Sequence, residues 1–503
     1  MVIRRKDKLK YFPIKIEQLE KDLKNIFDSA PEFKIKQIDH EKQKIAVLFL
    51  DYMIEKQYLY SDVINKILES KQKWDSQTLI NDLPIENGKE EYNLTDVKNA
   101  LSMGRIVIYI ESEDKCVSLP LQKSEARTPE KAETESIIFG PKLSFTESLN
   151  GNLNIVQNLI SNHNLKVEQF KVGNTVVTEI RLVYLDNIAN EEDVKEMRRR
   201  LKKLQTDDIL EGSTLTQFIE DNSYSIFPQF LNTELPDRFC YSLKEGKIGL
   251  LVDKSPSGII APANFLSFFE STEDLYTRWN MGSFIRILRI IATFLSVTLT
   301  PVYVAALTFH YEIIPQQMLV TLGHSRSRVP FNPLMEALIL EIFIEFIREA
   351  GARLPTKVGQ TMGIVGGIVI GQAIVQAGIT SNILIIIVAL SALGSFTTPS
   401  YLMGSVMRII RFPLIILAGL WGILGLMFSF AFLIVHLIRQ NSLNRPYLAP
   451  IYPIKLKDLD NSIFRLPFLQ SNYRAISNMP KKKKRFPEPN QKKKKKKPKD
   501  IDE

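Results

Sequence analysis

Between Phe284 and Ile438 the chain carries apolar runs too long for ordinary soluble cores, and one of them is studded with acids. The stretch "NPLMEALILEIFIEFIREAGARLP", Asn332 to Pro355, sets Glu336, Glu341, Glu345 and Glu349 in an otherwise greasy helical pattern. A lone carboxylate at a bilayer centre costs about 2.5–3.5 kcal/mol on insertion scales. Such a helix, expected over 333–350, must therefore meet water or protein along its acidic side. Asn332 suits its N-cap, Pro333 its first turn and Gly351 its end. At helical spacing Glu341, Glu345 and Glu349 fall within an arc of about 80°, Arg348 lies at the edge, and Glu336 points about 140° from Glu341. Two readings stand: an interfacial helix with acids toward water, or acids lining a cation-attracting passage between subunits. Interfacial helices favour lysine and arginine, so an anionic face is unusual there.

The surrounding runs predict an all-α polytopic membrane domain over 284–438. Ile290 to Phe309 is twenty residues without a charge, flanked by Arg286 and Arg289 and expected to kink at Pro301. Further spans are expected at about 358–379, 379–398 and 412–437, making four, with the acidic helix amphipathic or re-entrant beside them. In the second, Gly359, Gly363, Gly367 and Gly371 recur every four residues, with Gln372 and Gln376 at the ridge's end. Glycine at that period lets a neighbouring helix approach backbone to backbone, within one subunit, between subunits or around a pore. Basic residues on both flanks place both ends in the cytoplasm, which requires an even number of spans. Arg326, Arg328, Arg408 and Arg411 break the rule, since they would lie outside.

The first 275 residues read as soluble α/β structure. A basic lead-in (1–35) precedes a first subdomain (36–122), with a strand at Ala46–Leu50, a helix capped by Ser61, and a helix ending near Gly104 before a strand at Ile106–Ile110. "CVSLPL" is expected to pair with that strand. A polar connector, "QKSEARTPEKAETES", opens the second subdomain (123–275). There "LKVEQFKVGNTVVTEIRLVYLDN" predicts two strands around a Gly173-Asn174 turn. "NEEDVKEMRRRLKKLQ" predicts a helix with acids first and bases last. "KIGLLVDKSPSGIIAP" predicts a hairpin with Ser-Pro-Ser-Gly at its tip, without phosphate-loop spacing.

Net charge excludes little. Of the +9 total, residues 481–503 carry +8, from twelve Lys or Arg against four Asp or Glu. The basic balance thus belongs to the 439–503 tail, expected to be unfolded and drawn to anionic lipid rather than nucleic acid. Cys116 and Cys240 lie far apart, without CxxC spacing, and are expected as reduced thiols. The opening "MVIRRKDKLKYFPIKIEQLEKDLK" is charged without an apolar core, so it is not expected to act as a signal peptide. Five scattered histidines and the lack of HExxH, GxSxG or kinase motifs argue against an enzyme, a metal site or a cofactor.

Several strings carry a resemblance. "GPKLSFTESLNGNL", "FPQFLNTELPDRF", "VDKSPSGIIAPANF", "SFIRILRIIATFLSVTLTPVYVAALTFHYEIIP", "VPFNPLMEALILEIFIEFIREAGARLP" and "VGQTMGIVGGIVIGQAIVQAGITSNILIIIVAL" stand in order from about Ile106 to Phe412. Together they resemble the A subunit of GerA-type spore germinant receptors. One string departs: "NLNIVQNLI" stands where an arginine-rich "NLxLIRRRL" is usual. The resemblance implies a spore inner-membrane protein working with a transporter-like, nutrient-binding B subunit and a lipoprotein C subunit. It also implies a homo-oligomeric ring that conducts ions when nutrient binds. A non-conducting scaffold, a secondary transporter and the related stage V sporulation membrane protein are the competing readings. The nutrient, the ion, the subunit count and the gate residue are not written in the sequence.

Overall fold

Alternation of side chains builds two sheets. In the computed structural model, residues 15–27, 33–121, 139–354 and 371–486 are described, apart from positions 42, 52, 103 and 163, together with isolated positions in 122–138 and 355–370. Strands β1 (Phe33–His40), β2 (Gln43–Leu50), β3 (Lys89–Glu91), β4 (Arg105–Ile110) and β5 (Cys116–Pro120) form an antiparallel sheet in the order β1-β2-β4-β5-β3. On β2, Ala46, Leu48 and Leu50 enter one apolar cluster while Ile45, Val47 and Phe49 enter another. Both faces are covered, so the strand reads as a continuous apolar run. Strands β6 (Leu165–Val172), β7 (Thr178–Leu185), β8 (Leu231–Thr233), β9 (Ile248–Val252) and β10 (Gly258–Ala261) repeat that topology strand for strand, β6-β7-β9-β10-β8.

Most expected elements of this half are present. β6 and β7 turn at Gly173, β9 and β10 form the hairpin around the Ser-Pro-Ser-Gly tip, and β5 pairs with β4. Cys116 and Cys240 are buried free thiols. Three expectations need correction. The lead-in is partly ordered: helix α1 (Ile16–Phe27) buries Ile16, Leu19 and Leu23, and β1 begins at Phe33. Ser61 caps nothing, because helical structure already starts at Lys56. The start of the lysine-rich tail is also built in. Lys481 N donates to the Ile188 carbonyl (2.8 Å), and Arg485 pairs with Glu245 (2.8 Å). Arg474 donates to the carbonyls of Lys244, Lys482 and Lys484. Backbone carbonyls and the Arg485–Glu245 ion pair together set the packing here. Residues 487–503 lie outside the described set.

The helical half comprises α2 (Trp279–Thr308), α3 (Gln316–Arg326), α4 (Pro333–Arg353), α5 (Gly371–Gln376), α6 (Asn382–Ser395) and α7 (Tyr401–Arg439). α2 and α7 are long and apolar enough to cross a membrane. α2 begins eleven residues before the expected span, because Arg286 and Arg289 lie inside it and pair with Asp274 at 3.1 and 3.2 Å. It runs as one helix through Pro301. The expected 379–398 span is only fourteen helical residues, about 21 Å at 1.5 Å each, short of a ~30 Å hydrocarbon core. The 358–379 span falls largely outside the described residues, Gly359 and Gly363 with it.

The expected 412–437 span is one part of a broken helix. At Gly422 α7 leaves helical geometry (φ 62°, ψ −140°), and the chain doubles back. Gly422 lies beside His310, past the end of α2, whereas Phe430 packs on Phe294 near the middle of α2 and His436 reaches Ser225 of the second sheet domain. The arms are residues 401–421 and 423–439. At Gly394 on α6 a Cβ would stand 2.6 Å from the Ala292 carbonyl, so glycine is what brings α6 and α2 together.

Candidate functional site: a row of ion pairs among the apolar helices

α2 is built inside out relative to a soluble helix. Ser283, Arg286, Arg289, Thr293, Ser296, Thr300 and Tyr303 recur every three or four residues and are buried. Phe284, Leu288, Ile291, Phe294 and Val302 are exposed on its other sides. Apolar side chains outward and polar ones inward is the arrangement a lipid solvent imposes. The inward stripe meets α4, α6 and α7.

The acids of α4 face this stripe unequally. Asn332 caps the helix by accepting from Met335 N (2.8 Å), and Pro333 occupies its first turn, as the sequence predicts. Gly351 does not end it; the helix runs on to Arg353. Glu341 is 1 % exposed and pairs with the equally buried Arg411 of α7 at 2.7 Å. Its Oε1 accepts from Thr300 Oγ1 (3.0 Å), Thr300 contacts Ser391 Oγ (3.2 Å), and Arg411 also donates to the Ser391 carbonyl (3.3 Å). Four helices thus converge on one carboxylate. Glu336, which points away from the other acids, is completely buried. It accepts from Ser381 N (2.6 Å) and Thr380 Oγ1 (3.1 Å), and Arg326 approaches to 3.3 Å. This carboxylate ties α3 and α4 to the N-terminus of α6, where it also meets the helix dipole.

Glu345 is half-buried between Arg348 (2.8 Å) and Arg408 (3.8 Å), and Arg348 stacks on Phe396. Glu349 is exposed and pairs with Arg353 at 2.5 Å. The three-acid stripe is therefore a gradient from interior to solvent, with each acid facing an arginine. Arg326, Arg408 and Arg411 break the loop-charge rule because they belong to helices α3 and α7. Arg411 and the α2 stripe escape the sequence reading, although the 3–4 spacing of Ser, Thr and Arg in α2 was the available signal. Of the glycine ridge, Gly367 and Gly371 have no described heavy atom within 4 Å of a Cβ position, and Gln372 and Gln376 are exposed. Among the described residues no cluster of three or more His, Cys, Asp or Glu could hold a metal ion.

The family model described as "Bacillus/Clostridium GerA spore germination protein" matches residues 21–476. The chain belongs to the GerA family of spore germination proteins. The GerA match extends past the 106–412 strings at both ends and takes in the latter part of α1, all of β1 and most of the C-terminal segment. Spore germination protein GerQA of Bacillus cereus is 44% identical over 466 residues, covering 92% of this chain and 93% of that protein. Spore germination protein KA of Bacillus subtilis (strain 168) is 37% identical over 450 residues, covering 89% and 82%. A solved structure, the N-terminal domain of the A subunit of the Bacillus megaterium spore germinant receptor GerK3, is 25% identical with a TM-score of 0.41, covering 51% of this chain and 98% of that one.

Proposed function

We propose that this GerA protein is the A subunit of a nutrient-responsive germinant receptor in the spore inner membrane, with its soluble half and C-terminal segment in the cytoplasm. It works with a transporter-like B subunit that binds nutrient and a lipoprotein C subunit, and assembles with copies of itself into a cation-conducting ring. Its role is signalling, not catalysis. The observation that carries the reading is the Glu341–Arg411 pair, since ionised groups held among lipid-facing helices are costly and mark ion pathways or switches. In the arrangement described, arginine neutralises each acid, as a closed state requires. Nutrient on the partner would favour a second packing in which the pairs part and Glu341, Glu345 and Glu349 attract cations. That no described heavy atom lies within 4 Å of a Cβ position at Gly367 or Gly371 supports packing between subunits along that ridge.

The test is nutrient-triggered cation release from liposomes holding the A, B and C subunits. Glu341→Gln and Glu345→Gln should depress release while co-purification of the subunits persists; unchanged release would sink the acid role. The mutual neutralisation of acids and arginines favours a second reading, a scaffold without a pore. It expects those variants to be silent in release and truncation of the soluble half to abolish it.

A further inference from the structure

A cavity of about 90 Å³ lies where the second sheet domain, the start of α2 and the C-terminal segment meet. That is several times the space one water needs. Arg238, Lys247, Arg286, Arg465 and Arg485 line it, with Glu245 and Glu270. Arg238 is offset by Glu135, Arg286 and Arg289 share Asp274, and Arg485 pairs with Glu245. Lys247 is 8 % exposed, and among the described residues its ammonium donates only to Ser267 Oγ (3.1 Å). Arg465, equally buried, donates to the carbonyls of Asp274 and Thr277 and meets no carboxylate. Six cations against four carboxylates leave a formal excess of two positive charges in a largely buried place. Burial, with Arg238 adding to it, holds the Lys247 ammonium below its ordinary pKa, so the site favours anything that would keep it charged.

Three buried donors on this wall have no partner among the described residues: Arg465 Nε, Arg485 Nε and Thr272 Oγ1. Buried polar groups are nearly always satisfied, and orphans clustered on one cavity point to an occupant. It must be small, negatively charged and rich in acceptors on several sides. A cation would be repelled, and a neutral molecule would leave the charge excess standing. We infer that this cavity binds a phosphate-type oxyanion, either free or carried on a phospholipid headgroup. The lining comes from three parts of the chain, so occupancy fastens the soluble domain and the C-terminal segment to the root of α2. Nothing in this inference depends on whether the ring conducts.

The test uses the full chain, purified in phosphate-free maltoside micelles. Inorganic phosphate should raise its melting temperature saturably where chloride at equal ionic strength does not, if the ligand is free. If the source is lipid, phospholipid should survive delipidation at about one per chain, as counted by phosphorus assay. In either arm Lys247→Met should lose the effect, weakening binding by about ten-fold or more, and Lys247→Arg should restore it. Lys457→Met, an exposed change outside the cavity, should behave as wild type. Lys247→Met removes a charge with no carboxylate partner and is expected to fold; were it not to fold, the two wild-type arms would still decide. A wild type with no phosphate effect beyond chloride and no retained phospholipid, its orphan donors satisfied by water alone, overturns the proposal.

Discussion

Glu341 Oε2 and Arg411 Nη1 meet at 2.7 Å across seventy residues of sequence, both side chains sealed from solvent among four helices. Breaking such a pair from one side strands a charge, which costs about 3–5 kcal/mol, whereas removing both charges together is often neutral. Arg411→Leu should therefore lower the thermal stability of the full chain in nanodiscs sharply. The double variant Glu341→Met/Arg411→Leu should recover most of the loss. Additive losses in the double variant would show that the two residues are not coupled.

Along α4 the cost of losing an acid should fall from interior to surface. Glu349 is solvent-facing, so Glu349→Gln should change stability by no more than about 0.5 kcal/mol. Glu336→Ala leaves the buried Ser381 N–H without its acceptor and should cost about 1–3 kcal/mol. Denaturation midpoints of the two variants, compared in one detergent, check the ordering; equal effects would contradict it.

The reversal in α7 depends on a residue without a side chain. Gly422 has positive φ, and a Cβ there would also sit 2.8 Å from His310 Nε2. Gly422→Ala should cost about 1–3 kcal/mol. Cysteine cross-linking between the two arms should become less efficient in that variant, and unaltered cross-linking with unaltered melting would count against the strain.

Glu220 sets a pH dependence in the soluble half. Burial, with Asp221 alongside, pushes its carboxyl up to about 7 from the ordinary 4.5. Between those values the folded chain holds a proton that the unfolded chain has released, so this contribution to stability falls as pH rises and levels off above about 7. Glu220→Gln should be stabilising at pH 8 and nearly neutral at pH 4.5. A difference in melting temperature that fails to grow with pH would refute the assignment.

How much of this was legible depended on how local each cause is. The apolar run of β2, the alternation of β6–β7, the Gly173 turn and the Asn332 cap are written within a few residues, and each stands where the pattern put it. Arg411 was not legible as an interior residue, because an arginine beside an apolar run looks the same whether it flanks a helix or lies inside one. Only its partner, seventy positions away, distinguishes the cases. Glu336 was set apart by helical angle, a sound inference for a helix with one wet side, but α4 is enclosed over a wider arc. The early lysines of the tail looked too charged to fold. Their main chains carry much of the packing: Lys481 N donates to Ile188 of the second sheet domain, and Arg474 takes the carbonyls of Lys482 and Lys484.

That last contact has a topological consequence. Lys481 and Arg485 touch the same sheet domain that precedes α2, so the segments on either side of the helical half are joined to one another. A chain that leaves a compartment and returns to it has crossed its boundary an even number of times. A helical half that spans a membrane between ends joined in this way would do so in an even number of passages. Any rearrangement of the helices must also move between two tethered ends, as a loop does, not as a strand with a free tail.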